Sequence, residues 1–554
     1  MRTTVTVQNV RRVLCVFPAY APSFGTFSHA YRLVGAKAFM PPQGLLLIAN
    51  YLPPQWLVRF VDENVARCSD ADMGWADAVF ITGMHIQQGQ IRDVQVRAHA
   101  AGKITVLGGP SASAAPDMYP EVDYLHVGEL GDATDQLIAC LDRSLARPHR
   151  QLRLVTRERL ALRDFPRPAY QLVRLDRYLL GTIQFSSGCP YQCEFCDIPN
   201  LYGRVPRIKS SEQLIGELDF ILSQGNHPAS LYFVDDNFIA NRKAAREMLP
   251  HLIAWQRRNG YPVTFSCEAT LNIAKQTDIL EMMREARFDA VFVGIETPEL
   301  AALKAIHKEH NAALPILESI RTLNSYGLEV VSGIILGLDS DTFETETRLK
   351  EFIDASQVPM LTMNLLQALP NTALWTRLQR EERLTDDPSL ESNVRFLRPY
   401  ADVVETWRRC IDYAYRPERL FARFMHQIEA TYVNRFAAPA RGRLTRANMK
   451  RGAILMFNLM IRLGLLAQYR RPFWQMVRRA LKRGQIEALF GIGFVAYHLI
   501  EFSREAVRGD QNASFYSARS RESLRSTDTV TPCSIGNHDR LGIHQSTPRT
   551  SQPV

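Results

Sequence analysis

Cys189, Cys193 and Cys196 stand within one short run, Ser187-Gly188-Cys189-Pro190-Tyr191-Gln192-Cys193-Glu194-Phe195-Cys196. The CxxxCxxC spacing gathers three thiolates, one fewer than the four ligands that close a structural metal site. Three thiolates can hold three irons of a [4Fe–4S] cluster and leave the fourth iron open, as catalytic metal sites keep one position for substrate. An open iron can be chelated by the amino and carboxylate groups of a ligand and can pass one electron to it. A zinc ion with a distant fourth ligand, or oxidised structural thiols, would use the same three residues.

The elements that must position these thiols read as α/β. Short apolar runs at Val13–Phe17, Val58–Val61, Ala78–Ile81, Ile104–Leu107 and Tyr124–Val127 alternate with helical patterns at Gln43–Leu52 and Gln87–Ala101. That alternation predicts a doubly wound parallel sheet over residues 10–145, with ligands at the carboxyl ends of its strands. Asp62, Thr82, Gly83, Gly108, Gly109, Gly128 and Glu129 all fall at such ends, where glycine lets backbone approach a bulky ligand. Residues 146–180, rich in arginine and broken by Pro148, Pro166 and Pro168, read as a connection.

A second α/β unit is expected over 181–395. Its strand-like runs at Thr182–Ser186, Leu231–Val234, Val263–Ser266, Val291–Gly294, Val330–Leu336 and Thr362–Leu366 suggest a partial (β/α)6 TIM-type barrel. The cysteines follow its first strand. Asp235, Asp236 and Asn237 follow the second, Glu268 the third, and Gly294 and Glu296 end the fourth. Helices are expected over 396–508 and a disordered tail over 509–554, where Cys533 is a free thiol. Arg441–Arg483 holds twelve Lys/Arg and no Asp or Glu, more than the net +9 of the whole chain. Such a segment can be a solvated helical face, a contact with anionic lipid, or a nucleic-acid contact. No RNA-binding module accompanies it, so no nucleic-acid partner is expected.

The chain has 554 residues, enough for about two to four domains, with 46% hydrophobic and 22% charged residues. Cys15, Cys68, Cys140, Cys267, Cys410 and Cys533 show no disulfide-framework spacing, which points to a reducing cytoplasm. The first residues, Met1-Arg2-Thr3-Thr4-Val5-Thr6, lack the apolar core of a signal peptide. Ala453–Leu466 is split by Arg462 and Ala488–Ile500 is short, so neither run reaches the ~18 apolar residues of a membrane span. The expected place is the cytoplasm, with peripheral contact at the inner face of the membrane as a further expectation.

The cysteine run resembles the signature of the radical SAM superfamily, with Phe195 matching the aromatic near the adenine. The strand-end residues follow that family's order, which implies S-adenosylmethionine (SAM) contacts at Phe195, Asp235, Asp236, Asn237, Glu268, Gly294 and Glu296. The first domain, just upstream and with its Gly-Gly-Pro and Val-Gly-Glu strand ends, resembles the cobalamin-binding domain of B12-dependent members. The Asp-x-His-x-x-Gly motif that supplies a lower cobalt ligand elsewhere is missing, as is usual in this class, and His85 reads as a loop histidine. The segments Phe17–Phe27, Lys37–Gly44 and Ser187–Arg204 carry the closer likeness, to the branch that includes the hopanoid C-2 methylases.

The resemblance implies three cofactors: a [4Fe–4S] cluster, SAM and cobalamin. It implies SAM cleavage to a 5′-deoxyadenosyl radical, hydrogen abstraction from an unactivated carbon, and methyl donation from cobalamin. The implied partners are a small-molecule substrate, a triterpenoid lipid in this branch, and an electron donor such as flavodoxin or ferredoxin. A B12-dependent cyclase or rearrangement enzyme would use the same two domains, and a non-enzymatic cobalamin or redox sensor would keep only corrin binding. A tRNA methylthiotransferase would need a second three-cysteine cluster, which Cys15, Cys68 and Cys140 do not match.

Overall fold

Val13, Leu14, Cys15 and Val16 are buried on both faces of their strand, the environment of a central parallel strand. In the computed structural model, which describes residues 9–387, 389–437 and 446–509, they form β1 (Arg12–Phe17). With β2 (Leu57–Asp62), β3 (Ala78–Thr82), β4 (Ile104–Gly108), β5 (Tyr124–Val127) and β6 (Leu152–Val155) it builds a parallel sheet. The order β2-β1-β3-β4-β5-β6 reverses between β1 and β3. A crevice therefore opens between the segments that follow those two strands. Val13, Phe80 and Val106 pack against one helical layer, and Leu14, Val79 and Leu125 against the other.

β6 corrects the reading of 146–180 as connection alone. Leu152 and Leu154 are half-buried while Arg153 and Val155 point outward, which is the alternation of an edge strand. Four residues inside an arginine-rich run were too weak a signal to stand out.

The second sheet comprises β7 (Gly181–Ile183) and, beyond the short antiparallel pair β8 (Ser186–Ser187) and β9 (Arg207–Ile208), five longer strands. These are β10 (Ser230–Phe233), β11 (Thr264–Ala269), β12 (Phe288–Glu296), β13 (Glu329–Leu336) and β14 (Met360–Leu365). They run parallel in the order β7-β10-β11-β12-β13-β14, an open six-stranded barrel wall. Helices such as Ser211–Ser223 and Arg242–Arg258 cover its outside, each N-capped by a side chain, Ser210 and Asn241 respectively. The predicted single strand over 182–186 breaks after Ile183, for a reason that lies in the site.

The helices beyond residue 396 share the barrel's core. Trp407 Nε1 donates to the Met363 carbonyl at 3.0 Å, and the Tyr415 hydroxyl accepts from Leu361 N at 3.0 Å, so helix Tyr400–Tyr415 seals β14. Helix Ile486–Arg508 is long and apolar enough to cross a membrane by length and composition, a match that the shorter run Ala488–Ile500 did not suggest. More than half of that apolar window is buried in the protein, with Ile492, Leu499, Ile500 and Phe502 in the core. Residues 23–39 leave the first sheet to join this layer: Phe24 stacks on Tyr415 at 5.2 Å, and His498 contacts the Ser23 carbonyl at 3.0 Å. The expected tail lies outside the described residues.

Gly109 stands at φ +88°, and a Cβ there would lie 2.1 Å from Thr82 Oγ1. Gly109→Ala is therefore expected to destabilise the protein by about 2 kcal/mol. Gly44→Ala, in a helix with no atom near its Cβ, should be neutral or stabilising by up to ~1 kcal/mol. Thermal and urea unfolding of the two variants beside wild type measures the contrast.

Candidate active site

The cysteine segment is held by hydrogen bonds that begin before its first cysteine. The Asp235 carboxylate, just past β10, accepts from Phe185 N at 2.8 Å, Ser186 N at 2.7 Å and Ser186 Oγ at 2.6 Å. Those bonds replace strand pairing, so the chain leaves the sheet after β7 and turns into β8. Asp236 then accepts from Gly188 N at 2.7 Å, and Cys189 N donates to the Gly203 carbonyl at 3.2 Å. Further on, Arg377 Nε donates to Glu194 at 2.5 Å while its other arm reaches Asp339 at 2.7 Å. Asn272 donates to the Tyr191 hydroxyl at 2.6 Å, and the Tyr191 ring stacks on His310 at 3.7 Å.

Burial pushes the thiols of Cys189, Cys193 and Cys196 up from their usual range. They stand near enough that Cys189 raises Cys193, and both raise Cys196. Among the described residues, no three His, Cys, Asp or Glu side chains converge as the ligands of one metal ion do. Three half-buried, neighbouring thiols can each take one iron of a polynuclear cluster, whose metal charge would favour their ionisation.

Carboxylates gather beside them. Glu268 is accessible to solvent-sized space although protein surrounds it, which places it in the lumen of the barrel, with Tyr232 donating to it at 3.2 Å. Burial, reinforced by Asp236 and Asp235, pushes its carboxyl up to about 7; burial likewise pushes Asp236 up to about 6 and Asp235 up to about 7. An enclosed group of acids with raised pKa values favours a bound cation, such as the ammonium and sulfonium of SAM. Glu296, at φ +66°, instead pairs with Lys308, a buried lysine. Burial opposes the Lys308 charge, yet Glu296 and Cys193 carry its pKa above the lysine range. A Cβ on Gly294 would lie 2.5 Å from Lys308 Nζ, so glycine there makes room for the pair. Lys308 Nζ also stands 5.5 Å from the centre of the Phe195 ring.

Asp236, Asn237, Glu268, Glu296 and Phe195 are thus brought to one end of the barrel around the thiols, with Asn237 hydrogen-bonding Cys189. Asp235 acts as a positioning group, both its oxygens accepting from the chain before the cysteines. Lys308, Tyr191, Asn272, His310 and the Glu194–Arg377 pair were missed. Only the Glu194 and Tyr191 positions inside the cysteine run could have flagged any of them.

In the first domain, Asp62 accepts from Asn64 N at 2.8 Å and from the Tyr178 hydroxyl at 3.0 Å, tying β2 to the connecting segment. The Thr82 hydroxyl donates to the Gly108 carbonyl at 3.1 Å. A Cβ on Gly83 would meet Ile91 at 2.9 Å, and one on Gly128 would meet Thr156 at 2.9 Å. Glycine at these two positions answers the domain's own packing. Glu129 pairs with Arg207 at 2.6 Å and Arg159 at 3.1 Å, so it joins the two domains where a corrin contact was expected. Asn371 donates to the Ala114 carbonyl close by. The carboxyl end of the first sheet therefore faces the cysteine segment. Its switch-point crevice fits cobalamin by position, with Met84 left 55% exposed and His85 neutral, lowered to about 4 by burial.

Residues 183–353 match the Radical SAM superfamily, and residues 372–512 match a Domain of unknown function (DUF4070). The chain is 57% identical over 516 residues to the Hopanoid C-2 methylase of Rhodopseudomonas palustris (strain TIE-1), covering 93% of this chain and 98% of that protein. Among solved structures, the cobalamin-dependent S-adenosylmethionine radical enzyme OxsB superposes with a TM-score of 0.54 at 15% identity, covering 94% of this chain and 83% of OxsB. The radical S-adenosylmethionine methyltransferase TsrM from Kitasatospora setae gives 0.53 at 15% identity, covering 90% and 100%. At that identity the likeness shows a shared fold.

Asp235→Asn turns one acceptor oxygen into a donor facing Phe185 N or Ser186 N. It should lower stability by about 2–3 kcal/mol and reduce the iron and sulfide bound after reconstitution, measured by unfolding and metal analysis. The raised carboxyl groups predict a pH effect with a defined sign. At pH 8 both Asp236 and Glu268 are ionised, whereas at pH 6 Glu268 is largely and Asp236 about half protonated, so the cation-attracting charge falls as pH falls through 7 to 6. SAM should bind about tenfold more weakly at pH 6 than at pH 8, measured by equilibrium dialysis.

Proposed function

The chain belongs to the B12-binding radical SAM family, in the branch of the hopanoid C-2 methylase, and from that premise we propose that it methylates C-2 of a hopanoid. It is a radical SAM methyltransferase. The likeness along nearly the whole length of the methylase carries the substrate assignment. When bound, the cluster with SAM supplies one-electron cleavage chemistry and cobalamin supplies the methyl group.

The chain's own residues have definite tasks in this reading. Cys189, Cys193 and Cys196 would hold the cluster on a segment fixed by Asp235, Asp236 and Arg377. Asp236, Glu268 and Asn237 would receive the positive end of SAM, and Lys308 with Glu296 would balance charge beside it. Phe195 would pack near the adenine. The loops after β1 and β3 would take cobalamin, leaving the substrate between the two domains. Glu129, Arg159 and Arg207 would hold the domains together and exclude water from the gap. A flavodoxin or ferredoxin would deliver the electron. The protein would work in the cytoplasm, with peripheral contact at the inner face of the membrane that holds an apolar substrate.

Anaerobic reconstitution with iron, sulfide, cobalamin, SAM, reductant and diploptene tests the proposal. 5′-Deoxyadenosine, S-adenosylhomocysteine and a 2-methylated hopanoid are expected to rise together by mass spectrometry, and Cys193→Ala to abolish all three. Deoxyadenosine with a rearranged, unmethylated product would favour a cyclase. Full in vivo function of Cys193→Ala would overturn the enzymatic reading.

A further inference from the structure

The basic segment between residues 441 and 483 has a described surface with more charge and apolar area than its own packing uses. Helix Arg470–Lys482 buries Phe473, Met476, Val477 and Ala480 on one side, in contact with helix Pro417–Ala430. The opposite side presents Arg471, Trp474, Arg478 and Leu481, all exposed. Where this helix meets the π-helical stretch Met460–Leu466, a cavity of about 650 Å³ opens, lined by Arg470, Arg471, Arg478, Trp474, Gln475 and Leu465. Trp474 Nε1 donates to the Gly464 carbonyl at 2.9 Å and fixes the floor.

Two features of this cavity call for an outside partner. First, Arg470, Arg471 and Arg478 make no ion pair among the described residues, whereas Arg479 and Arg483 of the same region share Glu429. Second, large apolar side chains are left in water, Leu465 in the cavity wall and others on the chain that leads into it. Leu465 is 61% exposed, Leu466 70% and Phe457, two turns before them on the preceding helix, 67%. A phosphate would satisfy the arginines, but a phosphate alone would leave those side chains in water. A nucleic acid would stack on Trp474 and neutralise the arginines, yet gain nothing from two exposed leucines. An anionic bilayer satisfies both, with phosphates at the level of the guanidinium groups and acyl chains just below.

We propose that this face docks on a bilayer of anionic phospholipid. Arg470, Arg471 and Arg478 take headgroup phosphates, and Phe457, Leu465, Leu466 and Trp474 enter the headgroup–acyl boundary. The inference locates the peripheral membrane contact proposed above and rests on that reading.

The test is flotation of the full chain with phosphatidylcholine vesicles, with and without phosphatidylglycerol. Wild type should bind the phosphatidylglycerol vesicles and lose binding as salt is raised. Arg470→Gln/Arg471→Gln/Arg478→Gln should bind them about a hundredfold more weakly, from roughly fivefold per arginine. Leu465→Ser/Leu466→Ser should weaken binding as well, at low and high salt alike. Both variants change only exposed side chains, and unchanged 5′-deoxyadenosine formation after reconstitution reports that they fold. Wild-type binding by the triple arginine variant would overturn this face as the contact while leaving peripheral attachment standing. Failure of wild type to bind either vesicle would overturn both, and equal binding to vesicles without phosphatidylglycerol would overturn the role of charge. Displacement of the protein from vesicles by an RNA duplex at equal phosphate would overturn the choice of lipid.

Discussion

The grip of Asp235 on the chain ahead of the cysteines is the constraint from which the site follows. Ionising a buried carboxylate is unfavourable, and burial indeed pushes Asp235 up to about 7. Three donors, two from backbone and one from Ser186, offset that cost and in doing so end β7. The chain then turns across the end of the barrel, and Asp236 takes Gly188 N as it does so. Adjacent acids on one strand end thus divide two tasks: one shapes the loop, and the next caps it while adding to the charge of the lumen. Glu194 with Arg377 pins the far side of the same loop to helix Ala373–Arg380. A segment held at both ends can keep three thiols in place before any metal arrives, which is the preorganisation that a multi-ligand site needs.

Charge in the lumen is arranged in two parts. Asp236 and Glu268 form an acidic side with raised pKa values, whereas Glu296 is neutralised by Lys308. The same buried lysine also favours ionisation of the Cys189 and Cys193 thiols. Glu296 adopts a left-handed backbone to reach it, local strain of the kind found at functional sites. At the other end of the gap, Glu129 of the first domain meets Arg207 beside Ser187 of the cysteine segment. The two domains are therefore joined at the edge of the site by charge, and their carboxyl-end loops enclose the space between them.

The C-terminal helices are part of the same core, not an appendage. Trp407 and Tyr415 lock onto β14, and helix Ile486–Arg508 packs on residues 23–39, which reach it from the first domain. One chain segment near each end thereby closes over the barrel. The helix Arg470–Lys482 buries its apolar face in this layer. The face left over carries the arginines and leucines for which the interior has no use.

The cysteine spacing, the strand-end order and the alternation of short apolar runs with helices were legible in the sequence because each is local. A parallel strand buried on both faces must be apolar throughout, and a barrel strand must end in the residues that face its ligand. β6 was not legible, because an edge strand needs only two half-buried leucines, and these lay within an arginine-rich run. Lys308, His310 and Arg377 were not legible either, since nothing near them in sequence distinguishes a lysine, histidine or arginine that folding carries to the cysteine loop. Asp235 and Glu129 show the converse: residue type and strand-end position are the same for a ligand contact and for a structural clamp. The sequence by itself determined which chemistry the chain can hold, because thiolate number and spacing set the metal group. Only the tertiary structure decided which carboxylates are free to meet a ligand, because that depends on donors brought from elsewhere in the fold.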